Sequence, residues 1–325
     1  MINTRTLPFL ITLGVFLLAY AICIWQFPAM LSTRVLGNLL TDNAFLGIAA
    51  VGMTFVILSG GIDLSIGSVI AFTSVLLAVL LREGVPTGVV LPLALLVTTA
   101  FGALMGLTIH VLKMPAFVVT LAGMFLARGA AFLLSTQSVP VDDEAFRAIG
   151  NVFFRVPGGG RLTMVAMIML VVFVVAAIVA RRTRFGANVY AIGGSAQSAE
   201  LMGVPIGATT VGIYAVSGFL AGLSGIVYTL YTSAGYSLAT VGVELDAIAA
   251  VVIGGTLLTG GSGLVAGTFV GILIMGLIQT YIVFDGTLSS WWTKIVIGLL
   301  LFAFIVLQRI VTMVSERRNP AGAHA

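Results

Sequence analysis

The sequence predicts an all-α polytopic membrane protein of about ten transmembrane helices, some short or broken, with both termini cytoplasmic. Three observations carry that expectation. Hydrophobic residues are 60% of the chain and charged residues only 8%, against about 25% charged in a soluble domain, and the mean hydropathy is +1.19. The apolar residues fall in runs of about 20, the length that crosses a hydrocarbon layer of about 30 Å as a helix. Glycines recur at four-residue spacing inside those runs, as at Gly102 and Gly106, Gly218 and Gly222, and Gly263, Gly267 and Gly271. Small residues at i and i+4 let helices approach closely in lipid.

The first run, LPFLITLGVFLLAYAICIW, follows Arg5 and exceeds the apolar core of a cleavable signal peptide, about 7 to 15 residues. It reads as a retained span. Further spans are expected at about 39–58, 66–82, 88–111, 115–135, 162–180, 208–231, 246–258, 263–284 and 291–312. Arg5, Lys113, Arg181, Arg182, Arg184, Arg309, Arg317 and Arg318 then share one side, which the positive-inside rule makes cytoplasmic. The other side keeps Arg34, Arg82, Arg147, Arg155 and Arg161, diluted by Asp142, Asp143 and Glu144.

The stretch ILSGGIDLSIGS, residues 57–68, interrupts this pattern. From Asn43 to Leu81 the chain is too long for one span, and Gly60 and Gly61 break it into two. Asp63 is placed to accept from backbone N–H groups at the start of the second helix. An ionisable group at membrane depth also costs about 2.5 to 3.5 kcal/mol and marks substrate pathways. A capping role and a pathway role are compatible.

A related interruption lies at VVIGGTLLTGGSG, residues 251–263. The segment from Asp246 to Leu258 spans only about 20 Å as a helix, so it too breaks in or at the edge of the membrane. Superposing Gly254 and Gly255 on Gly60 and Gly61 matches Leu258 with Leu64, Thr259 with Ser65 and Gly261 with Gly67, the trace of an internal duplication.

Between these breaks, RRTRFGANVYAIGGSAQSAELMGVPI (residues 181–206) reads as an extramembrane loop holding a short capped helix. Ser195 is its N-cap, Gly203 suits the position after its end, and Pro205 stops continuation. So short a helix is marginal alone. It is either a plain surface helix or a docking element for a cytoplasmic protein.

Several classes are excluded. Cys23 stands alone, and with His110 and His324 it forms no metal-ligand spacing, so no metal is expected. Neither lysine, Lys113 or Lys294, follows a glycine, and no phosphate-binding G-x-x-x-x-G-K-[ST] loop exists. No nucleophile with its base is apparent, so no catalytic residue and no enzyme activity are expected. No basic stripe with interleaved aromatics points to nucleic acid.

The segments GMTFVILSGGIDLSIGS, TRFGANVYAIGGSAQSAELMGV and GVELDAIAAVVIGGTLLTGGSG resemble the signatures of ribose-type sugar permeases, the membrane subunits of bacterial ATP-binding-cassette importers. The resemblance covers nearly the whole chain. LTDNAFLGIAAVGMTFVILSGG, PGGGRL and FDGTLSSWWTKI are similar to the galactofuranose permeases among them. The resemblance implies one permease domain over residues 1–325 in the bacterial inner membrane, with a periplasmic loop at about 136–161 and a cytoplasmic coupling loop at about 181–207. It implies translocation of a monosaccharide, galactofuranose by the nearer similarity, delivered by a periplasmic sugar-binding protein. A cytoplasmic ATPase subunit would bind the ATP, and a second, different permease chain would complete the pore, so no cofactor sits in this chain. Ser195, Gln197, Ser198, Glu200, Leu201, Met202 and Gly203 would form the helix that couples to the ATPase. Gly60, Gly61, Asp63, Ser65, Glu244, Asp246, Gly254 and Gly255 would flank the translocation path. An ion-coupled secondary sugar transporter using Asp63 or Asp246, and a passive channel, are the competing readings.

Overall fold

The computed structural model describes residues 7–289 and 291–318; Arg5 and His324 lie outside them. The described residues are all-α apart from two small strand pairs. By length and apolarity, six of the described helices can each cross a membrane: α1 (Leu7–Gln26), α5 (Thr87–Val111), α6 (Ala116–Leu134), α8 (Met164–Arg182), α11 (Ile206–Thr232) and α13 (Val265–Asp285). A seventh crossing is a bent pair, α2 (Thr33–Asp42) and α3 (Ala44–Leu58), which meet at 54°. The expected span at 39–58 is therefore divided at Asn43. The Asn43 side-chain amide donates to the Leu39 carbonyl at 2.9 Å, taking up a carbonyl left open at the end of α2.

Of the remaining expected spans, α4 (Ile66–Arg82) has 17 residues and α12 (Val243–Ile253) only 11. Both are shorter than the about 20 residues a full crossing needs. The last, α14, runs from Trp291 to Arg318.

The core is built around α11, the most buried of the long helices. It packs most extensively on α5, where the glycine spacing works as expected: a Cβ on Gly102 or Gly218 would strike the facing backbone. Gly267 and Gly271 likewise press against Gly254 and Ala250 on α12. Gly263 lies before α13 begins and joins no helix face. Buried hydroxyls tie helices together where water is absent. Thr54 and Thr268 share a hydrogen bond of 2.8 Å between α3 and α13, and Ser224 donates to the Phe45 carbonyl at 2.6 Å.

These contacts set the direction of each helix. Phe45 faces Ser224 and Gly52 faces Ser217, so α3 runs antiparallel to α11. Asp63 meets Ser217 and Thr73 meets Gly225, so α4 runs parallel to it. The break at residues 59–65 thus reverses the chain.

The end holding Arg82 also carries β1 (Val139–Pro140), which pairs with β4 (Ala234–Gly235) after α11, the short helix α7 (Glu144–Gly150), and the hairpin of β2 (Phe153–Val156) and β3 (Gly160–Thr163). The opposite end holds Lys113, Arg181 and Arg182 together with two helices, α9 (Arg184–Gly194) and α10 (Ala196–Leu201). The eleven-residue α9 was not expected from the sequence. Thr183 caps it by accepting from the Gly186 N–H at 3.2 Å.

Candidate functional site

The first break is a closed turn. The Gly60 N–H bonds to the Ile57 carbonyl at 2.9 Å and the Gly61 N–H to the Val56 carbonyl at 3.0 Å, with Gly60 at φ +83°. That pairing ends a helix through one left-handed residue, which glycine adopts without a Cβ clash. The second break repeats it: Gly255 stands at φ +90°, its N–H on the Val252 carbonyl and the Thr256 N–H on the Val251 carbonyl. The two turns therefore superpose Gly60 on Gly255. The expected register, which set Gly60 on Gly254, is off by one residue because the left-handed position is the first glycine in one pair and the second in the other.

Asp63 is buried, and both oxygens of its carboxylate accept hydrogen bonds. Oδ1 accepts from the Ser65 N–H at 2.9 Å and from the Ser65 hydroxyl at 2.6 Å; Oδ2 accepts from the Ser217 hydroxyl at 2.6 Å. The sequence placed the donors to its carboxylate in the first turn of α4. The structure moves the bond back to Ser65, the residue before Ile66, because the second oxygen is turned away toward α11. Ser217 lies eleven residues past Ile206, so the carboxylate sits about 16 Å along α11. That is near the middle of the 27-residue helix.

The two breaks touch. The Gly261 N–H donates to the Leu58 carbonyl at 2.9 Å, and Gly260 lies against Gly60. A third segment closes on them. A Cβ on Gly193, near the end of α9, would collide with the Leu58 carbonyl and the Gly261 nitrogen. Gly60 is thus brought to the shared contact, whereas Gly254 packs on Gly267 of α13 and Gly255 faces Pro8 of α1. Their place at the contact is taken by Gly260 and Gly261.

Three residues beyond Gly193 the chain enters α10. Ser195 accepts from the Ser198 N–H at 3.2 Å, and Gly203, at φ +82°, donates to the Glu200 carbonyl at 2.9 Å. Both expected caps are present. Gln197, Ser198 and Glu200 are exposed, and so are Leu201 at 86% and Met202 at 73%. Two large apolar side chains are thus left open at this end of the molecule.

Glu244 and Asp246 lie apart from the breaks, in the first turn of α12. Glu244 Oε2 is buried without a hydrogen-bond partner among the described residues and presses on Gly67 of α4. Beside it, Arg128 on α6 donates to the Ser237 and Ala239 carbonyls at 2.6 and 2.8 Å. Both oxygens of Asp246 accept from Lys294, at 2.7 and 2.6 Å. Asp246 also lines a cavity of about 420 Å³ between α2, α3, α11, α12 and α13, at the end of the molecule opposite α10.

Sequence reasoning missed Ser217, Arg128 and Gly193. A serine or arginine within an apolar run was visible, but the residue it faces is more than a hundred positions away.

A family described as "Branched-chain amino acid transport system / permease component" matches residues 35–305. An inner membrane ABC transporter permease protein, YjfF, of Escherichia coli strain K12 is 59% identical over 316 residues, covering 97% of this chain and 96% of that protein. The fructose import permease protein FruG of Bifidobacterium longum is 39% identical over 319 residues, 96% of this chain and 94% of its own. The ribose import permease protein RbsC of Bacillus subtilis is 35% identical over 301 residues, 91% of each chain. No solved structure matches.

Proposed function

Since the chain belongs to the permease-component family that matches it over residues 35–305, we propose that it imports galactofuranose as the membrane subunit of an ATP-driven importer. The coarser statement stands on the relatives: this is a multi-pass inner membrane permease component of the ABC sugar-importer type. The finer one rests on the sequence resemblance to galactofuranose permeases, and on ribose and fructose being sugars that, like galactose, close into five-membered rings.

One observation carries the mechanism. The exposed α10 begins three residues after Gly193, which is wedged against both breaks. In this reading α10 seats on a cytoplasmic ATPase subunit, and α9 carries its movement to the Leu58 carbonyl and the Gly261 amide. The breaks at residues 59–65 and 254–264 respond because they meet each other and Gly193 at the Leu58 carbonyl and the Gly261 amide. ATP is bound by that partner, a periplasmic sugar-binding protein delivers the sugar, and a second permease chain, a different one by the resemblance, completes the path. Asp63 acts as a structural acceptor. Both its oxygens accept hydrogen bonds, from Ser65 and Ser217, which favours this holding role over that of an ion-coupled transporter's proton carrier.

The test is sugar uptake by the importer reconstituted with its ATPase and binding protein. Uptake of radiolabelled galactose, whose solution equilibrium includes the furanose form, is expected to require ATP and to survive a protonophore. Glu200→Arg is expected to abolish it while the protein still inserts. Uptake that needs no ATPase, or that collapses with the proton gradient, overturns the proposal.

A further inference from the structure

The cavity beside Asp246 has a lining suited to one kind of passenger. Its volume of about 420 Å³ falls within the roughly 300–1,000 Å³ of small-ligand sites. Asn38 on α2 and Gln279 on α13 present amides that both donate and accept, and both are exposed to the space. Asp42 adds acceptors, one of them shared with the Tyr231 hydroxyl of α11, which donates at 3.1 Å. Phe45 and Phe284 supply apolar flanks. Alternating hydroxyls and C–H faces on a sugar ask for this mixture of amide, carboxylate and ring.

Charge decides against the passenger named in the family's description. A branched-chain amino acid is a zwitterion, and its carboxylate needs a cation. None of the residues lining the cavity is Lys, Arg or His, whereas Asp42 and Asp246 both line it. The nearby Lys294 has its ammonium on both oxygens of Asp246. An amino-acid carboxylate would meet acceptors without a free cation, at a cost that a neutral polyol avoids.

We infer that this cavity is the outward transit site for a neutral sugar, with Asn38, Asp42 and Gln279 holding its hydroxyls. The inference rests on the sugar-importer reading and names the site within it. The Tyr231 hydroxyl already occupies one oxygen of Asp42, so a sugar hydroxyl that takes its place loosens the link between α2 and the far end of α11. Contacts shared in this way keep binding weak, as a site that must release its passenger onward requires.

The experiment measures uptake by the complete importer with radiolabelled ribose, fructose and galactose as sugar probes and leucine as the zwitterionic probe. Asn38→Leu and Gln279→Leu remove hydrogen-bonding groups at exposed positions. Leu133→Ala, at a site 91% exposed on α6, is the control. Each leucine variant is expected to slow sugar uptake by about tenfold, the scale of one lost hydrogen bond with its stranded partner, while Leu133→Ala stays within about threefold, below that scale. A second readout uses cysteine at Gln279 in a Cys23→Ala background, where an impermeant thiol reagent applied from outside is expected to block uptake. Wild-type sugar uptake with leucine variants at the normal rate, or an unblocked cysteine variant, overturns the transit site and leaves the importer reading standing. A wild-type complex that moves leucine and no sugar overturns both.

Discussion

The Ser217 hydroxyl on α11 donates to Asp63 Oδ2 at 2.6 Å, fastening the turn of the first break to the helix that begins just after α10. One end of α11 therefore leaves the exposed short helix, its middle holds the broken segment, and its far end carries Tyr231 at the cavity. A change at any of the three is felt on a single rigid element.

That bond makes a prediction about Asp63. In Asp63→Asn the remaining oxygen can keep both Ser65 bonds, and the Ser217 hydroxyl can turn to accept from the new amide, so uptake per inserted molecule should remain within a few-fold of wild type. Asp63→Ala leaves two hydroxyls and one backbone N–H without their acceptor, at about 1–3 kcal/mol for each stranded group, and membrane abundance should fall. An Asp63→Asn protein that assembles with its ATPase but moves no sugar would show that the charge itself is needed.

Adjacent glycines in α9 provide an internal comparison. A methyl at Gly193 has no room against the Leu58 carbonyl, whereas a methyl at Gly194 meets nothing within 4 Å. Gly193→Ala should uncouple ATP hydrolysis from uptake or lower abundance, and Gly194→Ala should do neither. Equal transport by the two, measured with the purified complex, rules out the wedge.

The caps of α10 should matter more than its length suggests. Ser195→Ala removes the acceptor for the Ser198 N–H, worth about 0.5–2 kcal/mol, and Gly203→Ala places a Cβ at φ +82°, where an L-residue loses roughly 1–2 kcal/mol. A helix of six residues has little to offset either loss. Both variants should show weaker copurification of the ATPase and faster cleavage by protease within residues 195–204, and unchanged values for both readouts would count against the docking role.

Acid should loosen the outer loop through Asp143. The Thr87 hydroxyl, at 2.6 Å, and the Phe146 N–H, at 2.8 Å, hold its carboxyl below the usual carboxylate range. Because the folded pKa is depressed, its contribution is complete above the unfolded value of about 3.9 and is lost as pH falls through the folded value. Limited proteolysis of residues 136–163 should accelerate below about pH 4, near that unfolded value, and Asp143→Asn, which still caps α7, should flatten the dependence. A wild-type loop equally resistant on both sides of that range contradicts the assignment.

Sidedness is checked directly. Cysteines placed singly at Ser198 and Asp142, in a Cys23→Ala background, should react with an impermeant thiol reagent from opposite faces of the membrane. Labelling of both from one face is incompatible with the helix directions described above.

What the sequence determined by itself was local. Hydropathy over a window of about 20 residues locates the long spans, and Ser195 and Gly203 announce the ends of α10 because a cap acts on amides within a few positions of itself. The two Gly-Gly pairs mark both breaks for the same reason. Tertiary structure alone decided how the breaks face each other. Letter matching superposed Gly60 on Gly254, yet backbone bonding superposes it on Gly255, since two adjacent glycines read alike until one of them takes the left-handed φ. It also decided that Gly193 closes on Leu58, that Ser217 claims the second oxygen of Asp63, and that Asn38, Asp42 and Gln279 line one cavity. Each of those relations joins segments more than a hundred residues apart, and a short-range hydrogen bond or steric contact leaves no trace in sequence until packing brings its partners within a few ångströms.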